Sequence, residues 1–171
     1  LEFRRVLFRS SLSERIVEKP SEIFDIEVEP AGKGIEVQLH IASGRMAALQ
    51  EQRRSMAGRT GCGLCGVDSL SAALRPVSTV SEPKPVSAAA IRRAMAALPA
   101  HQPINKTNGA THAAGWSTAQ GELVAVREDV GRHNALDKLL GAMAKKGESE
   151  PGGFVVVTSR CSYEMVQKAA A

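Results

Sequence analysis

The second half of this 171-residue sequence predicts an α/β fold in which a layered sheet is flanked by helices. Strand-like and helix-like segments alternate from about residue 110 to the end, which is typical of sheets covered by helices. The run Phe154–Thr158 is continuously apolar, as in a strand buried on both faces. In the first half, apolar and polar residues alternate over Gly34–Ile41, which predicts an antiparallel β region with one buried face.

The first half is predicted to begin with a β hairpin. Ile23–Val28 alternates apolar and acidic residues, and Pro30–Lys33 separates it from the second alternating segment. Ser43 is a candidate cap for a short helix from Gly44 to about Arg54. A glycine-rich loop follows, with another short helical turn expected before Pro76.

The remaining elements are predicted in the second half. Ser87 is expected to cap a helix over Ala88–Leu98, whose inner face carries Ile91, Met95 and Leu98. Residues 99–108 are predicted to be loop. The other predicted elements are strands over Ala110–Trp116, Glu122–Arg127 and Phe154–Thr158, a helix from Arg132 to about Lys145, and a terminal helix capped by Ser162.

The first ten residues are set apart from the rest by their composition. They hold three arginines and one glutamate, half of the formal net charge of +4, and they read like a cloning remnant. The remaining charge is too balanced to favour nucleic acid as a partner. We therefore expect three parts: a non-native segment at 1–10, a partial N-terminal β region with the cysteine loop at 11–76, and an α/β domain at 77–171.

Membrane and secretory features are lacking in the sequence. No stretch approaches the roughly 18 consecutive apolar residues that a membrane span needs, so no membrane association is expected. Three cysteines without a secretory signal favour a reducing compartment over a disulfide framework, and the predicted location is the cytoplasm. The terminal helix has no capping residue before Ala171, and with the foreign-looking start this predicts a fragment cut at both ends.

The segment Thr60–Gly66 carries Cys62 and Cys65, three positions apart among three glycines. The glycines keep bulk away from both sulfurs, and the nearby Arg59 favours the thiolate, the reactive form of cysteine. Such a pair can bind a metal, form a disulfide or carry sulfur as a persulfide. Zinc would need two more ligands, and Cys161 and the histidines form no second closely spaced pair, so no metal site is predicted.

Three further motifs carry candidate binding residues. His112 lies among small residues that leave room for a ligand, although a histidine hydrogen-bonded in a packed turn explains it equally well. The other two motifs run from a strand end into a helix start, where open α/β sheets bind ligands and free amides favour anions. Their candidates are Arg127, Arg132 and His133, with Asp129 as the helix cap, in the first, and Ser159 and Arg160 in the second. Taken alone, each junction is at least as well explained by a capped, solvated helix start.

Read in order, the four motifs are Gly-Arg-Thr-Gly-Cys-Gly-Leu-Cys-Gly, Gly-Ala-Thr-His-Ala-Ala-Gly, Arg-Glu-Asp-Val-Gly-Arg-His-Asn-Ala-Leu-Asp-Lys and Thr-Ser-Arg-Cys-Ser-Tyr-Glu-Met-Val-Gln-Lys-Ala. Their combination closely resembles the formate dehydrogenase accessory sulfurtransferase (FdhD) family, over about Ser13 to Ala171. The resemblance implies a cytidine-deaminase-like α/β fold with a layered mixed sheet. It also implies that the family's N-terminal sheet and a C-terminal cofactor-binding segment extend beyond this chain.

The function that the resemblance implies is sulfur transfer. Such proteins take sulfur from a cysteine desulfurase and pass it to the molybdenum (or tungsten) bis-guanine-dinucleotide cofactor, which is then inserted into formate dehydrogenase. The persulfide cysteine of the family matches Cys62, with Cys65 as its partner. The cofactor is expected to bind transiently, with none permanently bound, and the junction residues are its expected phosphate contacts. Related carriers are often dimeric, so a homodimer is one expected assembly.

Two other functions stay open from the residues. The first is a non-catalytic cofactor chaperone in which the cysteine pair is a redox latch or a metal clip. The second is a dithiol oxidoreductase, which needs no nucleotide site. Sulfur transfer from a labelled donor distinguishes the carrier from the chaperone, and reduction of a protein disulfide is what the oxidoreductase predicts.

Overall fold

The computed structural model describes residues 2–13, 16–32, 34–46, 49, 85–146 and 152–170. The chain divides into two compact units, Leu1–Ser78 together with Ala171, and Thr79–Ala170. The first unit holds a helix and a β hairpin, and the second holds a three-stranded sheet with its helices. No helix within the described ranges has the length and apolar character to cross a bilayer.

A two-stranded hairpin is the centre of the first unit. A helix, α1 (Glu2–Ser13), and a 3₁₀ turn at Pro20–Glu22 precede strands β1 (Ile23–Ala31) and β2 (Gly34–Ile41), which pair antiparallel. Pro30, placed in the turn by the sequence analysis, lies in β1, where it is tolerated because a two-stranded sheet leaves each strand one unpaired edge. Gly32, with φ of +56°, takes the tight bend instead.

The faces of the hairpin alternate as predicted, but they are only partly covered. On β2, Val37, Leu39 and Ile41 are half-buried and the residues between them are exposed. On β1, Ile26 is buried whereas Phe24 is 70% exposed. The prediction of one apolar face is confirmed in its alternation, and its extent of burial was overestimated for these strands.

The segment after β2 begins the helix that was predicted there. Residues 43–46 and 49 are helical, and the rest of the predicted helix up to Arg54 lies outside the described residues. Arg45 joins this segment to the one before the hairpin, since its guanidinium lies 2.6 Å from Glu18 Oε1 and 3.2 Å from Glu22 Oε2. The two ends of the hairpin are thereby held together.

The second unit confirms the predicted α/β class. Its elements are α2 (Ala88–Ala97), a 3₁₀ helix (Leu98–His101), α3 (Pro103–Asn108), β3 (His112–Ser117), β4 (Leu123–Asp129), α4 (Arg132–Lys146), β5 (Phe154–Val157) and α5 (Tyr163–Ala170). The strand order is β4-β3-β5, and both outer strands run antiparallel to β3. A helix follows each outer strand, as the alternation along the sequence predicts.

Helices cover both faces of this sheet. On one face, Ala114 and neighbouring strand residues pack against α4 and α5 through Leu136, Leu139 and Met165. On the other face, Ala113 and Val156 pack against Ala94 and Leu98 of α2 and the 3₁₀ helix. The core is therefore two thin apolar layers built mostly from alanine, leucine and valine.

Helix α2 is capped as predicted, but it buries a different face. Ser87 Oγ accepts a hydrogen bond of 3.1 Å from the Ala90 amide. Ala90 and Ala94 are buried, whereas Ile91 and Met95 are 44% and 41% exposed, so the predicted inner face was wrong at those two positions. The reason is close packing: Gly121, with φ of +90°, lies so near the Ala90 backbone that no Cβ would fit. Small side chains on the helix permit this approach, and larger ones turn outward.

One other prediction in this unit was wrong, and another was confirmed only in part. Residues 99–108, predicted to be loop, are mostly helical, in the 3₁₀ helix and α3. Strand β5 is packed on both faces as predicted, with Val155 and Val157 against one core cluster and Val156 and Phe154 in the other, but it lies at an edge of the described sheet and Val156 alone of its four residues is fully buried. A strand with one neighbour shields its backbone and side chains less than a central strand does.

Candidate functional site at one edge of the second sheet

The two junctions that the sequence singled out separately meet at one edge of the sheet. Because β4 and β5 are both antiparallel to β3, their carboxyl ends lie beside the amino end of β3. Arg127 of β4 and Val157 of β5 both pair with Ala114 of β3, and Asp129 pairs with His112 one step further out. We call this place, where β4 and β5 end, the junction edge.

The junction between β4 and α4 is held by Asp129. Its Oδ1 accepts hydrogen bonds from the Gly131 amide at 2.9 Å and from Asn134 Nδ2 at 3.3 Å. Its Oδ2 lies 2.6 Å from Lys138 Nζ. Burial raises the pKa of this carboxyl, but the bonds from Lys138 and Gly131 outweigh it, so the net pKa is lowered. Asp129 was predicted to be the cap of α4, but its carboxylate bonds the Gly131 amide, one residue before the helix begins, and the Asn134 side chain in the first turn.

Lys138 is a buried cation at the same junction. It is 8% exposed, and in addition to Asp129 it contacts the Glu128 carbonyl oxygen at 3.0 Å. One ammonium group on α4 thus holds both the backbone and the side chain at the end of β4. Sequence reasoning missed this role, although the spacing of Asp129 and Lys138 across a helix start was visible.

Glu128 is the second residue that sequence reasoning missed. Its carboxylate accepts hydrogen bonds from the amides of Ile104 at 2.9 Å and Asn105 at 2.8 Å, and from the Thr111 hydroxyl at 2.9 Å. Burial raises its pKa, and these hydrogen bonds outweigh burial, so the pKa lies below its ordinary value. Glu128 therefore caps α3 from a neighbouring strand, which explains why residues 103–108 are helical.

The junction between β5 and α5 carries exposed polar side chains. The Ser159 hydroxyl donates to the Arg160 carbonyl at 3.3 Å, and the side chains of Arg160 and Cys161 are exposed. Ser162 Oγ is buried and has no hydrogen-bond partner among the described residues, so its predicted capping role was wrong. The helix starts through its backbone instead, with the Val166 amide donating to the Ser162 carbonyl at 3.2 Å.

Two close side-chain contacts lie between helices α4 and α5, one helical turn apart. His133 Nε2 lies 2.9 Å from Glu164 Oε2, without the geometry of a hydrogen bond, and Lys168 Nζ lies 2.8 Å from Asp137 Oδ2. The spacing is four residues on both helices, so their amino ends lie side by side. Burial lowers the pKa of His133 more than Glu164 raises it, so the imidazole is mainly neutral near pH 7.

Comparison with known proteins decides the family. The sequence profile described as the FdhD/NarQ family matches residues 10–171. This chain belongs to the FdhD/NarQ family. It is 52% identical over 161 residues to the sulfur carrier protein FdhD of Bordetella petrii and 51% identical to that of Cupriavidus necator, in each case over 94% of this chain. The chain spans 58% and 56% of the length of these two relatives.

A solved structure agrees on the fold of this FdhD/NarQ chain. The putative formate dehydrogenase accessory protein from Desulfotalea psychrophila superposes with a TM-score of 0.64 at 20% sequence identity. The match covers 99% of this chain and 60% of that one. At this level of identity the likeness concerns the fold.

The predicted binding residues of this FdhD/NarQ chain all belong to the junction edge or to the helix starts beside it. His112 begins β3 and is half-buried, and Arg127 lies near the end of β4, where its Nη1 donates to the Val126 carbonyl at 2.7 Å. The others follow on the two junctions: Arg132 and His133 begin α4, and Ser159 and Arg160 precede α5. Three arginines and two helix starts thus belong to the two junctions, and both arginines and helix amino ends favour anionic groups.

Cys62 and Cys65 lie outside the described residues, so their predicted role stays a prediction. Among the residues that the structure does describe, no group of three or more His, Cys, Asp or Glu side chains is placed to hold a metal ion. Cys161 is a free thiol on the exposed part of the β5–α5 junction.

Proposed function

We propose that this chain is part of a sulfur carrier in which Cys62 holds the transferred sulfur as a persulfide. Support comes from relatives that are about half identical in sequence and bear the name sulfur carrier protein. A persulfide has to be reached first by a donor enzyme and then by a large acceptor, and a glycine-rich loop suits both encounters. The reaction belongs to the cytoplasm, where reducing conditions keep both thiols available.

The donor is a cysteine desulfurase that carries a persulfide of its own. The Cys62 thiolate attacks the outer sulfur of that persulfide, a bond forms between Cys62 Sγ and this sulfur, and the sulfur–sulfur bond of the donor breaks. The donor leaves as a thiolate. No net oxidation occurs, because one persulfide is exchanged for another, and the neighbouring Arg59 favours the thiolate that starts the step.

The acceptor is a substrate, the molybdenum bis-guanine-dinucleotide cofactor that serves formate dehydrogenase. In one route, Cys65 only stabilises the persulfide until transfer. In the other, the Cys65 thiolate attacks Cys62 Sγ, which forms a disulfide between the two cysteines and releases the outer sulfur as hydrosulfide. The two electrons that reduce the outer sulfur to hydrosulfide come from the two cysteines, which end as a disulfide. A dithiol reductant therefore has to reduce this disulfide before the next cycle.

The junction edge is proposed to hold the phosphates of this cofactor. The observation that carries this part is that two strand-to-helix junctions share one sheet edge. Arg127, Arg132 and Arg160 bring guanidinium groups that match phosphate oxygens, and the amino ends of two helices favour anions through the helix dipole. His112 and Ser159 supply further donors, and His133, mainly neutral, supplies one without adding charge.

Intact-mass analysis tests the sulfur step. The chain is incubated with a cysteine desulfurase and cysteine, and the wild type is compared with Cys62→Ala and Cys65→Ala. We expect an adduct of about 32 Da per sulfur in the wild type and in Cys65→Ala, and none in Cys62→Ala. An alkylating agent that blocks thiols serves as a further control.

The opposite result has a defined meaning. If the wild type gains no sulfur under conditions in which an established carrier is loaded, the persulfide mechanism is wrong. A non-catalytic cofactor chaperone, with the cysteine pair as a redox or metal-binding element, would then explain the chain better. If the adduct persists in Cys62→Ala and disappears in Cys65→Ala, the two cysteines exchange roles.

A further inference from the structure

Glu128 carries a hydrogen-bond arrangement that the proposed sulfur chemistry does not use. The side chain lies in β4, the residue is 7% exposed, and its two oxygens accept from two backbone amides and one hydroxyl. All three donors belong to residues 102–111, the segment between the 3₁₀ helix and β3, which we call the strap. All three hydrogen bonds to this buried carboxylate come from one segment. They hold that segment strongly, because hydrogen bonds to a charged group are stronger than those between neutral groups.

Gln102, at the start of the strap, is buried, but most of the strap is exposed. Helix α3 has only six residues, too few to be stable alone, and every strap residue from 103 to 110 except Asn105 is exposed. Its internal bonds link one part of the strap to another: the Gly109 amide donates to the Asn105 carbonyl at 2.8 Å, and the Thr111 amide donates to Asn105 Oδ1 at 3.2 Å. These bonds shape the strap without joining it to the sheet.

Glu128 is hydrogen-bonded to the strap near both of its ends. Oε2 and Oε1 receive the Ile104 and Asn105 amides at the first turn of α3, and Oε1 also receives the Thr111 hydroxyl at the exit. His112 follows Thr111 directly and begins β3 at the junction edge. A displacement of Thr111 would therefore change the backbone from which the His112 side chain projects.

We propose that Glu128 is a positioning residue: it holds the strap against β4 and thereby sets the position of His112 at the junction edge. The inference rests on the proposed function in one respect, the role of His112 as a contact to the cofactor. Glu128 itself lies on the face of the sheet opposite α4 and α5, among strap residues, so it acts through Thr111 and His112.

The charge of Glu128 is essential to this role. A carboxylate only accepts hydrogen bonds, and Glu128 faces three donors. Glutamine has nearly the same shape, but its amide nitrogen would face an N–H or O–H donor and leave at least one bond unmade. Glu128→Gln therefore weakens the attachment of the strap with little change in volume, which makes it the variant of choice.

The experiment records three signals from the chain: amide hydrogen exchange, the NMR signals of the His112 ring, and the affinity for guanosine diphosphate by calorimetry. In Glu128→Gln we expect exchange of the Ile104 and Asn105 amides to rise about tenfold, with unchanged exchange in the β3–β4 ladder beyond its first pair, His112 and Asp129. We expect the His112 ring signals to shift or broaden, and the dissociation constant to rise about threefold. Glu122→Gln, an exposed glutamate of the same unit, is the matched control and should behave as the wild type.

Thr111→Val separates positioning from folding. It removes only the hydroxyl bond at the strap exit, so the proposal predicts shifted His112 signals while the Ile104 and Asn105 amides stay protected. Should Glu128→Gln not fold, this variant carries the test. Unshifted His112 signals in Thr111→Val, or wild-type exchange and His112 signals in a folded Glu128→Gln, would overturn the proposal. If the wild type binds no nucleotide while His112 still responds to Glu128→Gln, the cofactor role of the edge fails and the positioning role stands.

Discussion

The two junctions at the sheet edge share the same order of elements, a strand, a short turn and a helix, but they differ in how their side chains are bonded. At the β4–α4 junction, Asp129 accepts from Gly131, Asn134 and Lys138, and Glu128 accepts from the strap. At the β5–α5 junction, Arg160 is exposed, and the Ser162 hydroxyl has no partner among the described residues. Charged side chains bond the first junction internally, whereas the second presents the exposed side chain of Arg160. We infer that the β4–α4 junction stabilises the fold and that the β5–α5 junction is the more accessible part of the junction edge.

The largest expected effect comes from breaking the β4–α4 junction at Lys138. Lys138→Met removes a buried ammonium group and leaves Asp129 without its cation, so we expect the free energy of unfolding to fall by about 3 kcal/mol. Urea denaturation followed by circular dichroism measures this. Arg160→Ala, at the open junction, should change stability by less than about 0.5 kcal/mol. If the free energy of unfolding fell equally in Lys138→Met and Arg160→Ala, the proposed difference between the two junctions would be wrong.

Acid should weaken the same junction. The pKa values of Glu128 and Asp129 are lowered in the folded protein, from ordinary values of 4.5 and 3.8. Both carboxylates therefore stabilise the fold above these ordinary values, and the stabilisation is lost as the pH falls through the lower, folded-state pKa values. Urea denaturation between pH 7 and pH 3 should show this decline. The decline should be shallower in Glu128→Gln and unchanged in Glu122→Gln; a Glu128→Gln curve parallel to the wild type would contradict the assignment.

The open junction should respond in binding and not in stability. We expect Arg160→Ala to weaken guanosine diphosphate binding about tenfold, equivalent to about 1.4 kcal/mol, because a guanidinium–phosphate contact is lost. Calorimetry measures the dissociation constant. Arg92→Ala, which removes an exposed arginine of α2, is the control and should leave affinity unchanged. An equal loss in both variants would show that overall charge is responsible and not the edge.

The smallest effects distinguish two serines at helix starts. Ser87 caps α2 through its hydroxyl, so Ser87→Ala should lower the free energy of unfolding by about 1 kcal/mol. Ser162 makes no such bond, and Ser162→Ala should cost less than about 0.5 kcal/mol. Thermal unfolding of the two variants under one condition gives the comparison. A larger loss for Ser162→Ala would mean that the hydroxyl caps α5 after all.

The sequence predicted the sheet of the second unit well because its signals are local. Strand β4 and helix α4 follow from short-range apolar patterns and a glycine between them, and the predicted strands and helices are confirmed in order. The four motifs, read together, also led to the family. Local patterns identify the helices and strands and their order along the chain, and this is enough to predict where each strand ends.

The missed features depend on contacts between distant residues. The start of helix α3 is capped by Glu128, which lies 24 and 23 residues along the chain from the two amides that it bonds. No local sequence pattern therefore predicted the helix or the role of Glu128. The inner face of α2 was misassigned because close packing against Gly121 selects Ala90 over the larger Ile91. That both junctions lie at one edge follows only from the pairing of β3 with two strands.

The most direct test of this account is an NMR titration of the chain with guanosine diphosphate, read residue by residue. The open junction predicts the largest amide shifts at residues 159–162, smaller shifts at residues 131–133, and little change within β1 and β2. Shifts of this pattern, lost in Arg160→Ala, would establish the junction edge as the nucleotide-binding site. An absence of shifts at both junctions at saturating nucleotide, or shifts confined to other parts of the chain, would contradict it.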